Sequence, residues 1–219
     1  MTRTFIALEL NEALQRFVGE IISQVSQELP DLRWVDPFGI HLTLAFLGEL
    51  SDEQLVEAIQ ASEEAAQKAT PFEYRLKGLD IFGSPQQPRV IWMGVEDLPS
   101  GKVQGSPLQR LHRVLSKELE LRGFEVEKRP FSPHLTLARL KQPLSPDAQQ
   151  RLQRILHSKL AGSSSAVYRV SNLCVMKSEL SQAGAKYTCL KECSLSKANL
   201  LGLMIQIFMG LQLAANLLK

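Results

Sequence analysis

The pattern of apolar and polar positions divides the chain into short extended runs and longer segments with helical periodicity. Apolar residues at spacings of three and four predict helices over residues 11–29, 51–69, 107–122 and 145–160. Runs that are apolar or β-type predict strands or extended segments over residues 4–10, 32–35, 41–47, 72–80, 89–95, 124–128, 134–140, 166–177 and 185–194. Capping residues support the helix starts, because serine or asparagine precedes three of them and proline opens two.

The predicted elements follow the order β-α-β-β-α-β-β-α-β-β-α-β-β, and the two halves of this order are similar in plan. The simplest architecture is therefore a duplicated α+β domain with two sheets. Related halves usually pack about a pseudo-two-fold axis. Such packing would turn equivalent faces of the two halves toward one shared cleft.

One nine-residue frame occurs twice, as PFGIHLTLA at residues 37–45 and as PFSPHLTLA at residues 130–138. Successive side chains of a strand alternate between its two faces. We therefore expect His41 and Thr43 on one face with the leucines on the other, and the same for His134 and Thr136. Leucines can anchor a strand in a core, but a core does not require the same histidine and threonine in both copies.

Two histidines that face each other across a cleft suit acid–base catalysis, since histidine titrates near neutral pH. One imidazole can take a proton from water while the other gives a proton to a leaving oxygen, and threonine hydroxyls can bind phosphate oxygens. The sequence has no GxxxxGKS loop, no HExxH motif and no carboxylate cluster near either histidine. These features favour metal-free phosphoester chemistry on a strained 2′,3′-cyclic phosphate. A metal site built from both histidines is an alternative, although no third ligand is visible.

HLTLAFLG and PHLTLAR resemble the two HxTx motifs of the two-histidine phosphoesterases. Within that superfamily, the sequence resembles the RNA 2′,3′-cyclic phosphodiesterases, also called the 2′–5′ RNA ligase family. RTFIALEL, RVIWMGV, KRPFSPHLTLAR and KYTCLKECSL are similar to the family's pattern as well, so the resemblance extends over residues 1–195. We therefore expect one domain with intertwined lobes over residues 1–195, followed by an extension over residues 196–219.

The resemblance implies a bilobal fold in which two antiparallel sheets face a central groove, with helices outside. It implies a hydrolase of RNA processing that opens a terminal 2′,3′-cyclic phosphate on RNA to a 2′-phosphate, with no metal and no cofactor. A 2′–5′ ligase activity is also associated with the family. By the family's pattern His41 is the proton donor, His134 is the proton acceptor, and Thr43 and Thr136 hold the phosphate. The implied partner is RNA with a 2′,3′-cyclic phosphate end.

Four further residues near the motifs are candidates for substrate binding: Arg139, Phe46, Trp34 and Arg129. Arg139 falls five positions after His134, so on a regular strand it points to the leucine face, and a strand end or a bulge is needed to redirect it. Phe46 and Trp34 can stack on a base, with core packing as the alternative. Arg129 can contact the groove or remain a solvated or ion-paired surface charge.

The sequence predicts no catalytic role for four other residues. His112 and His157 lie in helices rich in arginine and lysine, so we expect both to be solvated and to serve as controls in mutagenesis. Trp92 lies in an apolar run and is expected in the core. Tyr187 is expected at the rim of the groove.

Composition narrows the class of protein. The chain has 219 residues, a net charge of +2 and 44% hydrophobic residues, which is ordinary for a soluble globular protein and excludes a strongly basic coat for nucleic acid. Its three cysteines, Cys174, Cys189 and Cys193, form no CxxC pair, so we expect free thiols in a reducing compartment. The N-terminal residues read as a strand and not as a signal peptide. We expect a cytoplasmic monomer.

Residues 198–218 form a run of 21 uncharged residues, ANLLGLMIQIFMGLQLAANLL, outside the family's pattern. A helix of this length can span a bilayer, but asparagine and glutamine residues interrupt the run. We expect an apolar helical extension that packs on the protein or on a partner. Membrane contact of this tail and an extension without function are the alternatives.

Two other functions stay open on the same scaffold. One is a module that binds RNA or a nucleotide without turnover. The other is a phosphodiesterase that acts on 2′–5′ oligonucleotides or on small cyclic nucleotides. Intact histidine and threonine in both motifs favour catalysis over binding alone, and only a comparison of substrates separates the two phosphodiesterases.

Overall fold

Two sheets and four α-helices make up the part of the chain that the computed structural model describes, residues 1–98, 105–181 and 184–196. The strands are β1 (Thr2–Glu9), β2 (His41–Leu50), β3 (Phe72–Ser84), β4 (Gln87–Leu98), β5 (His134–Arg139), β6 (Tyr168–Val170), β7 (Asn172–Ser181) and β8 (Gly184–Ser194). The helices are α1 (Glu12–Glu28), α2 (Asp52–Gln67), α3 (Pro107–Leu121) and α4 (Pro146–Leu156).

Each helix begins directly after a capping residue. The side chains of Asn11, Ser51, Ser106 and Ser145 each accept a hydrogen bond from the backbone N–H three residues further on. The Gln54 side chain in turn accepts from the Ser51 backbone N–H, so the predicted capping box is confirmed. These bonds satisfy N–H groups that have no partner within the first turn of a helix.

Both sheets are antiparallel and four-stranded. The first sheet has the strand order β2-β1-β7-β8, and the second has the order β5-β4-β3-β6. The predicted α+β class with two antiparallel sheets is therefore confirmed. The two strands that carry the repeated motif, β2 and β5, are edge strands in equivalent places, and β2 lies against β5. We call the line along which they meet the seam.

A shared core supports the seam from one side. Leu42 and Leu44 of β2 belong to the same cluster of buried side chains as Leu135 and Leu137 of β5. Each of the four is at most 4% exposed. All four helices contribute buried side chains to this cluster, so they cover the leucine side of both sheets.

The prediction of one strand over residues 166–177 is wrong, because the structure divides this segment between the two sheets. β6 pairs with β3 in the second sheet, whereas β7 pairs with β1 and β8 in the first. Ser171 alone separates them, and its carbonyl accepts a hydrogen bond from the Leu195 backbone N–H. Val170 and Leu173 are both buried, so the chain crosses between the sheets within the core.

The fourth helix ends at Leu156, before the predicted end at residue 160. The chain beyond it pairs with β3. The Gly78 and Leu79 backbone N–H groups donate to the carbonyls of Ser163 and Ala161. This pairing requires those carbonyls to turn toward the sheet, so tertiary contacts end the helix before its apolar pattern does.

Two predicted extended segments do not become ladder strands. Residues 32–35 make an isolated bridge, from Trp34 to Ala138, beside β5. Residues 124–128 form no strand. In both segments apolar side chains pack partly buried against the core, so their pattern reflects burial and not strand pairing.

The described part of the chain ends against α2, where the Ser196 backbone N–H donates to the Ala66 carbonyl. No helix within the described residues is long and apolar enough to cross a membrane. The helix predicted over residues 198–218 lies outside the described residues. Its role and the domain boundary at residue 195 therefore stay predictions.

Replacement of Leu135 by alanine should lower the free energy of unfolding by about 2–5 kcal/mol, because it leaves a cavity in the core beside the seam. Leu121→Ala is a matched control, since Leu121 is the last residue of α3 and is 69% exposed. This control should cost less than about 0.5 kcal/mol. Urea denaturation followed by circular dichroism measures both values, and equal losses would contradict the assigned core.

Candidate active site

The two motif strands direct their polar residues away from the core. In β2 both motif leucines are buried, whereas Thr43 is exposed and His41 is partly exposed. In β5 both leucines are again buried, and His134 and Thr136 are partly exposed. Since the leucines of both strands share one core across the seam, these four polar side chains lie on the other side of it. We call that side the motif face.

Each motif strand contains a β-bulge at the same position. In both ladders the register shifts at the second leucine of the motif, so Leu44 of β2 and Leu137 of β5 have no cross-strand partner. A bulge of one residue moves the later side chains to the opposite face. Phe46 and Arg139 therefore return to the motif face at equivalent positions, and both are exposed.

The same backbone contact orients both histidines. Nδ1 of His41 lies 2.9 Å from the carbonyl oxygen of Gly39, and Nδ1 of His134 lies 2.8 Å from that of Ser132. A carbonyl oxygen can only accept, so Nδ1 carries the proton and donates it. Nε2 of each ring is then the atom that takes up or releases a proton.

Aromatic rings from other strands hold the imidazole of His41. Phe5 of β1 stacks on it with 4.5 Å between ring centroids and 29° between planes. Tyr187 of β8 meets it edge-on at 4.8 Å, and it also contacts Phe5 at 5.3 Å. The rings belong to a small apolar cluster beside His41, made of Phe5, Ala7, Cys174, Met176 and Tyr187.

Two other rings hold the imidazole of His134. Phe82 of β3 meets it edge-on at 4.7 Å between centroids, and Trp92 of β4 lies at 6.1 Å. Phe82 and Trp92 stack on each other at 5.1 Å. Each histidine is therefore held by one ring from the adjacent strand of its sheet and one from a strand further away.

The sequence does not predict that Phe5, Phe82 and Trp92 contact the motif histidines. Trp92 is not simply a core residue, because it is partly exposed and contacts His134. The run VIWMGV has no polar position, so the sequence does not show which face of β4 carries Trp92, and only the burial of Ile91 and Met93 on either side places it. The proximity of Phe5 and Phe82 to the histidines likewise follows from strand order and register.

A family model described as "LigT like Phosphoesterase" matches residues 8–92 and 102–187, which include both motifs. The chain belongs to the LigT-like phosphoesterases. The predicted membership of the two-histidine phosphoesterases is thereby confirmed.

Named relatives and a solved structure align with most of this LigT-like chain. A relative from Methanothermobacter thermautotrophicus, named RNA 2′,3′-cyclic phosphodiesterase, is 31% identical over 186 residues, which cover 85% of this chain and 95% of the relative. A Thermotoga maritima protein of the same name is 33% identical over 150 residues, which cover 68% and 75%. A crystal structure of a Thermus thermophilus protein has 27% identity, covers 88% of this chain and 97% of that one, and gives a TM-score of 0.69.

The two halves of the LigT-like fold are electrostatically coupled at His41. Burial is the main cause that lowers the pKa of His41 below its ordinary value of 6.5, and the Arg139 cation acts in the same direction. The Gly39 carbonyl and the carboxylate of Glu9, which pairs with His41 in the β1–β2 ladder, oppose this shift of the pKa. Because Arg139 comes from the other sheet, its effect on His41 shows that the two motif strands lie within electrostatic reach of each other.

Phe46 offers an exposed aromatic surface beside the first motif. Its side chain is 54% exposed, and the guanidinium carbon of Arg3 lies 4.7 Å from the centroid of its ring. Arg3 therefore makes a cation–π contact with this ring. An aromatic ring with a cation over it is a surface on which a nucleobase can stack.

The other two substrate-binding candidates, Trp34 and Arg129, each have a contact within the protein. The indole N–H of Trp34 donates to the Leu29 carbonyl at 3.2 Å, and the ring packs against the core. Arg129 is 87% exposed and forms an ion pair with Glu127. These contacts match the core packing and the ion pairing that the sequence leaves open as alternatives, and a role of either residue in substrate binding stays a prediction.

His112 is not solvated as the sequence predicts. Its ring stacks on Phe131 with 4.0 Å between centroids and 5° between planes, and burial lowers its pKa. His157 is exposed at the end of α4, where its Nδ1–H donates to the Gln153 carbonyl. His157 is therefore the better control in mutagenesis, because Phe131 belongs to the segment that leads into β5.

Titration of the imidazoles by nuclear magnetic resonance should give His41 a pKa below 6.5. Arg139→Gln should raise this pKa, because it removes a cation that disfavours the protonated ring. Glu9→Gln should lower the pKa further, because it removes an anion that favours the protonated ring. Arg129→Gln is the control and should leave it unchanged. A pKa of His41 that does not respond to Arg139→Gln would contradict the coupling across the seam.

Proposed function

We propose that this protein hydrolyses the 2′,3′-cyclic phosphate at the end of an RNA chain and leaves a 2′-phosphate. The observation that supports this best is the pair of motifs, which present two histidines, each with Nε2 available, and two threonines on one face. Relatives at 31% and 33% identity carry the name RNA 2′,3′-cyclic phosphodiesterase. RNA with a cyclic phosphate end is therefore the proposed partner.

His134 acts as the base and His41 as the acid. A water molecule attacks phosphorus while Nε2 of His134 takes a proton from it. The bond between phosphorus and the 3′ oxygen breaks on the opposite side, and Nε2–H of His41 gives a proton to that oxygen. The phosphate keeps its bond to the 2′ oxygen, so the products are a 2′-phosphate and a free 3′ hydroxyl.

The surroundings of His41 suit the role of the acid. Burial lowers its pKa, which makes the protonated ring a stronger acid toward the 3′ oxygen. A bound cyclic phosphate is an anion, and its charge favours the protonated ring in the complex. The hydrogen bond from Nδ1 to Gly39, together with the rings of Phe5 and Tyr187, keeps Nε2 in place while its proton moves.

The remaining polar groups of the motif face bind the substrate. Thr43 and Thr136 donate their hydroxyl hydrogens to the non-bridging phosphate oxygens. Arg139 adds a cation that can bind phosphate through two parallel hydrogen bonds. Phe46, with Arg3 over its ring, stacks on the base next to the cyclic phosphate.

No step of this mechanism requires a metal ion or a nucleotide cofactor. Ring strain in the five-membered cyclic phosphate assists the departure of the 3′ oxygen. A metal ion bound to both histidines would occupy nitrogen atoms that the mechanism needs for proton transfer. Within the described residues, neither motif histidine belongs to a group of three or more metal-ligating side chains.

In the 2′–5′ ligase activity implied by the family resemblance, the 5′ hydroxyl of a second RNA takes the place of the attacking water and the same 3′ oxygen leaves, and we include this activity in the proposal. A cytoplasmic monomer remains our expectation for localisation and assembly. Binding of RNA without turnover, and turnover of small cyclic nucleotides or of 2′–5′ oligonucleotides, are the outcomes that would replace the proposed activity.

The purified full chain should convert a short RNA with a 2′,3′-cyclic phosphate end to a 2′-phosphate product in the presence of EDTA. Electrophoresis and mass spectrometry identify the product. His41→Ala and His134→Ala should each reduce turnover by on the order of 10²- to 10⁴-fold, because each removes one proton-transfer group. His157→Ala is the matched control and should keep full turnover.

Absence of product with the unsubstituted chain would contradict the proposed activity. Binding of the RNA without turnover would then indicate a binding module. Turnover of a 2′–5′ oligonucleotide or a small cyclic nucleotide, but not of the RNA end, would keep the two-histidine chemistry and change the substrate.

Arg139→Ala should lower kcat/KM by about ten- to a hundredfold, since a hydrogen bond to a charged group contributes about 1.5–3 kcal/mol. Arg129→Ala removes the same side chain from an exposed ion pair with Glu127 and should change kcat/KM less than about twofold. Steady-state kinetics on the cyclic-phosphate RNA measures both variants. A larger loss with Arg129→Ala than with Arg139→Ala would contradict the role given to the bulge in β5.

A further inference from the structure

Three side chains with metal-binding atoms lie in the first sheet beside His41. Glu9 is the last residue of β1 and pairs with His41 in the β1–β2 ladder. Cys174 lies on β7 and belongs to the small apolar cluster beside His41. Cys189 lies on β8, two residues after Tyr187, so strand alternation places it on the same face as that ring.

The ligand atoms of these three residues converge on one point. A carboxylate oxygen of Glu9 and the sulfur atoms of Cys174 and Cys189 all lie within 4.8 Å of one another. The Cys174 thiol donates a hydrogen bond to Oε2 of Glu9 at 3.1 Å. Cys174 is buried, whereas Glu9 and Cys189 are exposed, so an ion can reach the cluster from solution.

We propose that Glu9, Cys174 and Cys189 bind a thiophilic divalent cation of the zinc class. Tetrahedral zinc lies about 2.3 Å from each sulfur ligand, which sets its two sulfurs roughly 3.8 Å apart. The three ligand atoms, within 4.8 Å of one another, lie about one ångström or less outside that spacing. Three protein ligands leave one tetrahedral position, which a water molecule fills.

Cation binding releases two protons, because thiolates and not thiols ligate zinc. Burial raises the pKa of both Cys174 and Cys189, so the cation competes with protons and its uptake strengthens as the pH rises. A divalent cation bound to two thiolates and one carboxylate has the same formal charge as two neutral thiols and one carboxylate. Cation binding therefore changes the net charge near His41 little. No step of the phosphoester chemistry uses these three side chains, so the cation site is independent of the proposed function.

The third cysteine provides a matched control within the same chain. Cys193 also lies on β8, but it pairs with Leu173 and belongs to the main core. It is 3% exposed, and its thiol is not part of the cluster with Glu9. Substitution of Cys193 therefore removes a thiol without touching the proposed cation site.

Titration of the tag-free full chain with Co²⁺, in the presence of a phosphine reductant, tests this site. We expect one equivalent of cobalt and a thiolate-to-cobalt charge-transfer band that Zn²⁺ abolishes by displacing the cobalt. Cys174→Ser and Cys189→Ser should remove the band, and Cys193→Ser should keep it. Loss of even an outer-shell partner costs about 10–100-fold in metal affinity, so Glu9→Gln should weaken cobalt binding at least about tenfold.

Three results would overturn the cation site: no cobalt uptake, uptake without a thiolate band, or a band that survives Cys189→Ser. Loss of the band in Cys193→Ser with the fold intact would overturn it as well. Far-ultraviolet circular dichroism checks the fold of each variant. If the buried substitution Cys174→Ser prevents folding, the exposed substitutions Cys189→Ser and Glu9→Gln decide the outcome.

Discussion

The burial of four leucines in one core across the seam between β2 and β5 is the constraint on which the candidate site depends. Because these leucines alternate with a histidine and a threonine in each strand, their burial brings the polar side chains out together on the opposite face. Neither strand supplies the site alone, since each is the edge of its own sheet and carries one histidine and one threonine. The packing of the two sheets therefore brings the histidine and threonine of both motifs onto one face.

The two halves share their backbone plan and differ in the side chains that this plan presents. Both motif strands bulge at the same leucine, and both histidines donate through Nδ1 to a carbonyl two residues earlier. The residue that follows each bulge on the motif face is Phe46 in one half and Arg139 in the other. One side of the seam thus offers an aromatic surface and the other a cation, and the proposed function assigns these to the base and the phosphate of the substrate.

The sequence was sufficient to predict features that depend on neighbouring residues along the chain. These include the alternation of both motif strands, the helix caps and the α+β class. It was not sufficient for features that depend on strand pairing. The side on which Arg139 lies follows from a bulge, and Phe5 and Phe82 approach the histidines only through strand order. The crossing between sheets at Ser171 and the early end of α4 likewise reflect pairing with β3, which overrides the local apolar pattern.

In the proposed mechanism both histidines act on one phosphorus atom from opposite sides. The measurement to make is a crystal structure with a nucleoside 2′,3′-cyclic vanadate, a trigonal-bipyramidal analogue of the transition state. We expect the two apical oxygens within about 2.6–3.2 Å of Nε2 of His41 and Nε2 of His134. The equatorial oxygens should contact Thr43 and Thr136. Vanadate in contact with only one histidine, or bound away from the motif face, would contradict the two-histidine mechanism.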